Sequence, residues 1–133
     1  MKKIEVYEID DTQDFQKNVK RFVNKKDFKK LPTQIKELMD DLIKGDFPGT
    51  KISHKDLPTP HDVYKLRMAI PDINVGKSDG YRIIYMVVTE FKIVVFLTIY
   101  YKKESPTVSD TYIGGLIDGY FIHSPTEDAP EKE

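Results

Sequence analysis

Lys65, Arg67, Lys77, Arg82, Lys102 and Lys103 crowd the C-terminal half of the sequence, with Tyr81, Tyr85, Tyr100 and Tyr101 among them. These are residue types that handle a phosphate. Lysine and arginine hold the anion and stabilise the extra charge of its transition state, while aromatic rings stack on unpaired bases. Arginine suits phosphate especially well because its planar fork donates two parallel hydrogen bonds. The mixture is what an RNA-cleaving site without a metal needs. The plainer account has each cation projecting into water at a sheet edge, and it is the alternation and shared strands of these residues that favour convergence.

The elements that must position them follow from hydrophobic period. In "DVYKLRMAI", residues 62–70, Tyr64, Leu66, Met68 and Ile70 point one way, and Val63, Lys65, Arg67 and Ala69 the other. Pro71 closes that strand, "DINVGKSDG" forms a polar turn carrying Lys77, and "YRIIYMVVT" and "KIVVFLTIYYK" follow as two more strands. The last is apolar at nearly every position, as in the middle of a covered sheet. Upstream, "IEVYEI" reads as a short strand over residues 4–9, and "DDT" supplies an N-cap. Phe15, Val19, Phe22 and Val23 then stack on one helix face. Ile35, Leu38, Met39, Leu42 and Ile43 form the same stripe on a second helix, with Pro32 near its start and Gly45 near its end. Prolines 48, 58 and 60 make residues 47–61 a loop. "SDTYIGGLIDGYFIH" has Ser109 as a cap but holds three glycines, each costing about 1 kcal/mol in a helix interior, which predicts a short or broken helix. The fold class is α+β: a small antiparallel sheet of three or four meandering strands plus the N-terminal strand, packed against a helical hairpin.

Composition sets the surroundings. The chain has 133 residues, 39% hydrophobic and 32% charged, with a net charge of −1. That balance suits one soluble domain, expected over residues 1–124, with a disordered acidic tail, "PTEDAPEKE", over 125–133. The longest apolar run is far below the about 20 residues that cross a bilayer, so no membrane is expected. "MKKIEVYEID" turns acidic instead of entering a secretory apolar segment, and a cytoplasmic location is expected. There is no cysteine, and His54, His61 and His123 lack zinc-site spacing, so neither a metal nor another cofactor is expected. Between Lys17 and Lys36 stand eight basic residues and one acid, Asp27: either a solvated helix face or a phosphate-attracting surface.

"VYKLRMA", then "GKSDGYRIIY", then "VVFLTIYYKKE" resemble the RelE/ParE superfamily of type II toxins, and are closest to its HigB/RelE-like branch. The resemblance runs over residues 15 to 104, helical hairpin included. It implies a RelE-like fold, a ribosome-dependent mRNA endonuclease (mRNA interferase), and a cognate antitoxin as partner beside mRNA and the ribosome. Carried over by position, the residues of the "KLR" motif are Lys65 and Arg67, that of "GYR" is Arg82, and the basic pair after the last strand is Lys102 and Lys103. Lys65, Arg67, Arg82 and Lys103 are then the catalytic candidates, and Lys77, Tyr81, Tyr85, Tyr101 and Lys102 the substrate contacts.

The implied reaction is attack of a ribose 2′-hydroxyl on the adjacent phosphate, giving a 2′,3′-cyclic phosphate and a free 5′-hydroxyl. Lys65 is the candidate base, since Arg67 and Arg82 disfavour a third positive charge beside them. Lys103, Tyr101, Tyr112, His54 or His61 would protonate the leaving oxygen. On this reading Arg82→Ala abolishes cleavage and leaves the fold intact. Two other classes share the features: a ParE-like chain that poisons DNA gyrase without chemistry of its own, and a non-catalytic protein-binding module. The clustering of Lys65, Arg67 and Lys77 favours cleavage.

Overall fold

The computed structural model describes residues 6–105 and 107–123, so the acidic tail expected over 125–133 lies outside the described residues. Strand β1 (Glu8–Asp11) is followed by helices α1 (Gln13–Val23) and α2 (Leu31–Ile43). Strands β2 (Thr50–Lys51), β3 (Asp62–Met68), β4 (Tyr81–Val88) and β5 (Ile93–Tyr101) come next, then helix α3 (Asp110–His123). The five strands form one sheet in the order β1-β5-β4-β3-β2. From β2 to β5 the neighbours are antiparallel, whereas β1 lies parallel to β5 with Glu8 opposite Ile93.

Of the strand expected over 4–9, residues 4 and 5 lie outside the described residues; among the described ones the strand covers 8–11, and it closes one edge in parallel instead of extending the meander. The 47–61 loop contains a two-residue strand, because Thr50 and Lys51 pair with Lys65 and Tyr64 before the prolines resume. Gly49, at φ +106°, lets the chain meet β3 there: a Cβ on it would lie 2.6 Å from the Lys65 carbonyl oxygen.

Helix α1 starts where the sequence places it. The Thr12 hydroxyl accepts from the Phe15 amide at 3.1 Å and donates to the Leu97 carbonyl at 2.7 Å, so the cap also pins the helix to β5. Phe15 stacks on Phe96, and Phe22 meets Phe28 and Tyr81 edge-on or tilted. Leu38 and Leu42 of α2 join this core on one face of the sheet. The other face holds a second core, in which Ile113 and Ile117 of α3 pack with Leu57, Val63, Ile84, Met86 and Leu97. With helices on both sides, every residue of β4 is buried, which explains why its sequence is apolar almost throughout.

Helix α3 runs unbroken for 14 residues, contrary to the short or broken helix expected from its glycines. Tertiary contacts override the propensity. Ile113 and Ile117, one turn apart, bury into the second core. The Ser109 hydroxyl accepts from the Tyr112 amide at 3.1 Å. The Tyr120 hydroxyl donates to Asp10 at 2.9 Å, and that of Tyr112 donates to Asp14. Asp14 also accepts from Thr98 at 2.5 Å and from Asn18 at 3.1 Å, so one carboxylate joins α1, β5 and α3.

Two predictions follow from these contacts. Gly115 of α3 has open space where a Cβ would go, so Gly115→Ala should raise stability by about 0.5–1 kcal/mol in urea unfolding. The hydrogen bond to Asp14 pushes the Tyr112 hydroxyl up from 10.0 to about 12, with burial adding to the shift. The native state therefore holds this proton more tightly than the unfolded chain, and the contribution is complete below about pH 10 and lost as pH rises toward 12. Tyr112→Phe should shrink the alkaline loss of stability across that window.

Candidate active site

Period two in β3 places Val63, Lys65 and Arg67 on the face of the sheet that α3 covers in part. Val63 is buried under the second core, while Lys65 and Arg67 run past it and stay exposed. Register sets Arg67 directly opposite Arg82, and Arg82 opposite Tyr100, making a row of two guanidinium groups and a phenol across three strands. Like charges directly opposite each other in a sheet repel. The conflict is resolved by the direction Arg82 takes.

Arg82 is only 6% exposed. Its Nη2 donates to the Ser78 carbonyl at 2.8 Å, and its Nη1 donates to those of Lys77 at 3.0 Å and Tyr81 at 3.4 Å. The acceptors belong to the 3-10 turn Lys77–Asp79 and the residue that begins β4. The turn closes onto the sheet only because Gly80 has no side chain, since a Cβ there would stand 2.0 Å from the Met68 carbonyl oxygen. Lys102 Nζ donates to the same Ser78 carbonyl at 3.2 Å and lies 3.8 Å from Asp79, while its amide donates to the Gly80 carbonyl at 3.1 Å. Arg82 and Lys102 thus share one turn.

Lys65, Arg67 and Lys77 line a single cavity of about 800 Å³, bounded on the α3 side by Val108, Asp110 and Ile113. The structure brings these three cations to one cavity, and Arg82, which does not line it, holds the turn that carries Lys77. Lys103 stands exposed on the turn after β5 and does not line the cavity. Lys51 borders it but has its ammonium 3.4 Å from Asp62.

The tyrosines proposed as base-stacking contacts lie elsewhere. Tyr81, Tyr85 and Tyr101 are 0%, 0% and 9% exposed and belong to the core under α1 and α2. Tyr81 packs against Phe22 and Phe28, Tyr101 against Phe28, and the Tyr85 hydroxyl donates to the Pro48 carbonyl at 2.5 Å. Burial pushes the Tyr81 and Tyr85 hydroxyls far up, as befits phenols inside a core. The tyrosine on the cationic face is Tyr100, raised by burial and drawn back by Arg82. Of the proposed acids, His54 has one ring nitrogen 2.8 Å from the Thr59 carbonyl and the other 3.3 Å from Asp62. Tyr112 donates to Asp14, and His61 lies against Phe121.

Outside the cleft, Glu104 joins the basic first helix to the end of β5, with Arg21 at 3.1 Å and Lys25 at 3.2 Å. Partial burial alone would raise its carboxyl, but the hydrogen bonds from Lys25 and Arg21 outweigh it and hold the group below the usual carboxylate value.

No family model matches the chain, and no curated protein matches it by sequence. Among solved structures it is similar to E. coli toxin RelE in the free state, determined as a double arginine-to-alanine variant. The identity is 19%, over 76% of this chain and 88% of that one, with a TM-score of 0.47. It is also similar to the toxin–antitoxin complex RelBE2 from Mycobacterium tuberculosis, at 17% identity over 76% of this chain and 97% of that one, with a TM-score of 0.37. Among the described residues, no helix is long and apolar enough to cross a membrane.

The geometry changes what Arg82→Ala should do. Three carbonyls lose a buried charged donor, so the substitution should cost about 3 kcal/mol in urea unfolding and loosen the Lys77–Asp79 turn, instead of leaving the fold intact. Arg67→Ala, on an exposed side chain, should cost less than about 0.5 kcal/mol.

Proposed function

We propose that the chain is a RelE-like toxin of a type II toxin–antitoxin pair that cuts mRNA on the ribosome by metal-independent attack of a 2′-hydroxyl. The observation that carries this reading is the convergence of Lys65, Arg67 and Lys77 in one cleft on an exposed part of a sheet. Arg67 and Lys77 attract a phosphate into the shared cavity and favour the additional negative charge of a five-coordinate phosphorus more than the ground state, with Lys65 beside them as the proton acceptor.

In this scheme Lys65 takes the proton from the 2′-hydroxyl. The 2′-oxygen bonds to phosphorus and the bond from phosphorus to the 5′-oxygen breaks. Arg67 spans the equatorial oxygens, and Lys77, the other ammonium lining the cleft, returns a proton to the leaving 5′-oxygen. Products are a 2′,3′-cyclic phosphate and a 5′-hydroxyl. Arg82 acts as a positioning residue: its donors are committed to the turn that carries Lys77. The exposed lysines of α1 and the turn after it, Lys17, Lys20 and Lys26, give a second basic surface suited to ribosomal RNA. An antitoxin would neutralise the cleft with acidic side chains.

The test adds the native protein, and separately Lys65→Ala/Arg67→Ala, to a reconstituted translation reaction, with mRNA ends mapped by primer extension. Native protein should create new ends carrying a 5′-hydroxyl inside the reading frame, and the double variant should cut at least about 100-fold more slowly while unfolding at the native urea midpoint. Intact mRNA with folded native protein would overturn the endonuclease reading and direct attention to gyrase supercoiling.

A further inference from the structure

The adjacent glycines of α3 have no packing reason to be there. A Cβ on Gly115 would meet nothing, and one on Gly114 would only touch Leu57 at 3.9 Å, yet each lowers helix stability relative to alanine. Both line a second groove, of about 770 Å³, between α3 and the loop that runs from Asp56 to His61. At its far wall the rings of His61 and Phe121 lie 5.3 Å apart at 32°, with Phe121 43% exposed. Asp56 and Asp110 line this groove and the cationic cleft alike, so the two cavities adjoin at these carboxylates.

The two differ in charge. Lys65, Arg67 and Lys77 line the cleft beside the shared Asp56 and Asp110, whereas the groove adds Asp118 to those carboxylates, has no lysine or arginine among its described lining residues, and holds the half-buried His61 against the exposed Phe121. A phosphate is favoured in the first and repelled from the second, whereas a nucleobase has an aromatic face for the rings and edge amino groups for the carboxylates.

We propose that the groove between α3 and the 56–61 loop is a base-reading subsite for single-stranded RNA whose phosphate lies on Lys65, Arg67 and Lys77. The inference rests on the RNA reading of the cleft. The base enters over the bare backbone of Gly114 and Gly115, stacks on the Phe121–His61 pair, and donates an exocyclic amino hydrogen to Asp56 or Asp110. Cytosine and adenine carry such an amino group at that edge, while uracil presents a carbonyl oxygen that a carboxylate repels. The site therefore prefers cytosine or adenine to uracil.

The experiment measures fluorescence anisotropy of the full chain with 2′-O-methyl hexamers of cytidine, adenosine and uridine, which cannot be cleaved. The cytidine and adenosine hexamers should bind about tenfold more tightly than the uridine hexamer. Phe121→Ala should weaken the cytidine hexamer by about tenfold. Asp56→Asn/Asp110→Asn should bring the cytidine-to-uridine ratio close to one, because an amide also donates to uracil. Gly115→Ala should weaken binding while raising the urea midpoint, a combination that lost folding cannot produce. Equal binding of all three hexamers that still requires Lys65 and Arg67 would overturn the subsite alone. No binding by the native chain, or binding indifferent to Lys65→Ala/Arg67→Ala, would overturn it together with the RNA reading.

Discussion

A guanidinium inside a strand buried on both faces must find acceptors, and the way Arg82 finds them organises the rest of the cationic end. An unpaired charge there would cost several kcal/mol, so the turn before β4 folds back to present the Lys77 and Ser78 carbonyls. That fold requires a residue without a Cβ at position 80, where the chain runs against the Met68 carbonyl. The same turn receives Lys102 from the end of β5 and sets Lys77 over the cleft. Lys77 and Lys102, far apart in sequence, are thus placed by the solvation needs of Arg82.

How much of this was legible depended on whether the period of the strand was undisturbed. β3 alternates cleanly, and the face carrying Lys65 and Arg67 follows from counting by two. The same count in β4 sets Tyr81 and Tyr85 opposite Arg82, as the structure has them, but closeness in sequence made them look like one patch. β5 defeats counting. Val94 and Phe96 face the helical hairpin, yet so do Ile99 and Tyr101, because the register shifts across the pairing of Ile84 and Tyr85 and the strand changes phase. In a strand apolar on both faces nothing in the residue types marks that bulge, so Tyr100 could not be singled out from Tyr101. The hairpin, its caps and its stripes were readable because side-chain identity alone specifies them. The two-residue strand β2 and the integrity of α3 were not, since both come from contacts with distant residues.

Helix α3 covers only part of its face of the sheet, and the remainder is where Lys65 and Arg67 emerge. Charges are needed there for a reason unrelated to any ligand: near a short edge strand, exposed cations discourage pairing with another chain. Lys65 and Arg67 satisfy that need and a phosphate's equally well, so neither alone separates the two demands. Lys77 does. It belongs to a turn, where edge protection asks nothing of it, yet the Arg82 lock holds that turn against the same cavity. A cation set against the cleft by a buried arginine, a glycine and a folded-back turn is not explained by sheet protection, and it is on this third cation that the proposal of a phosphate site rests.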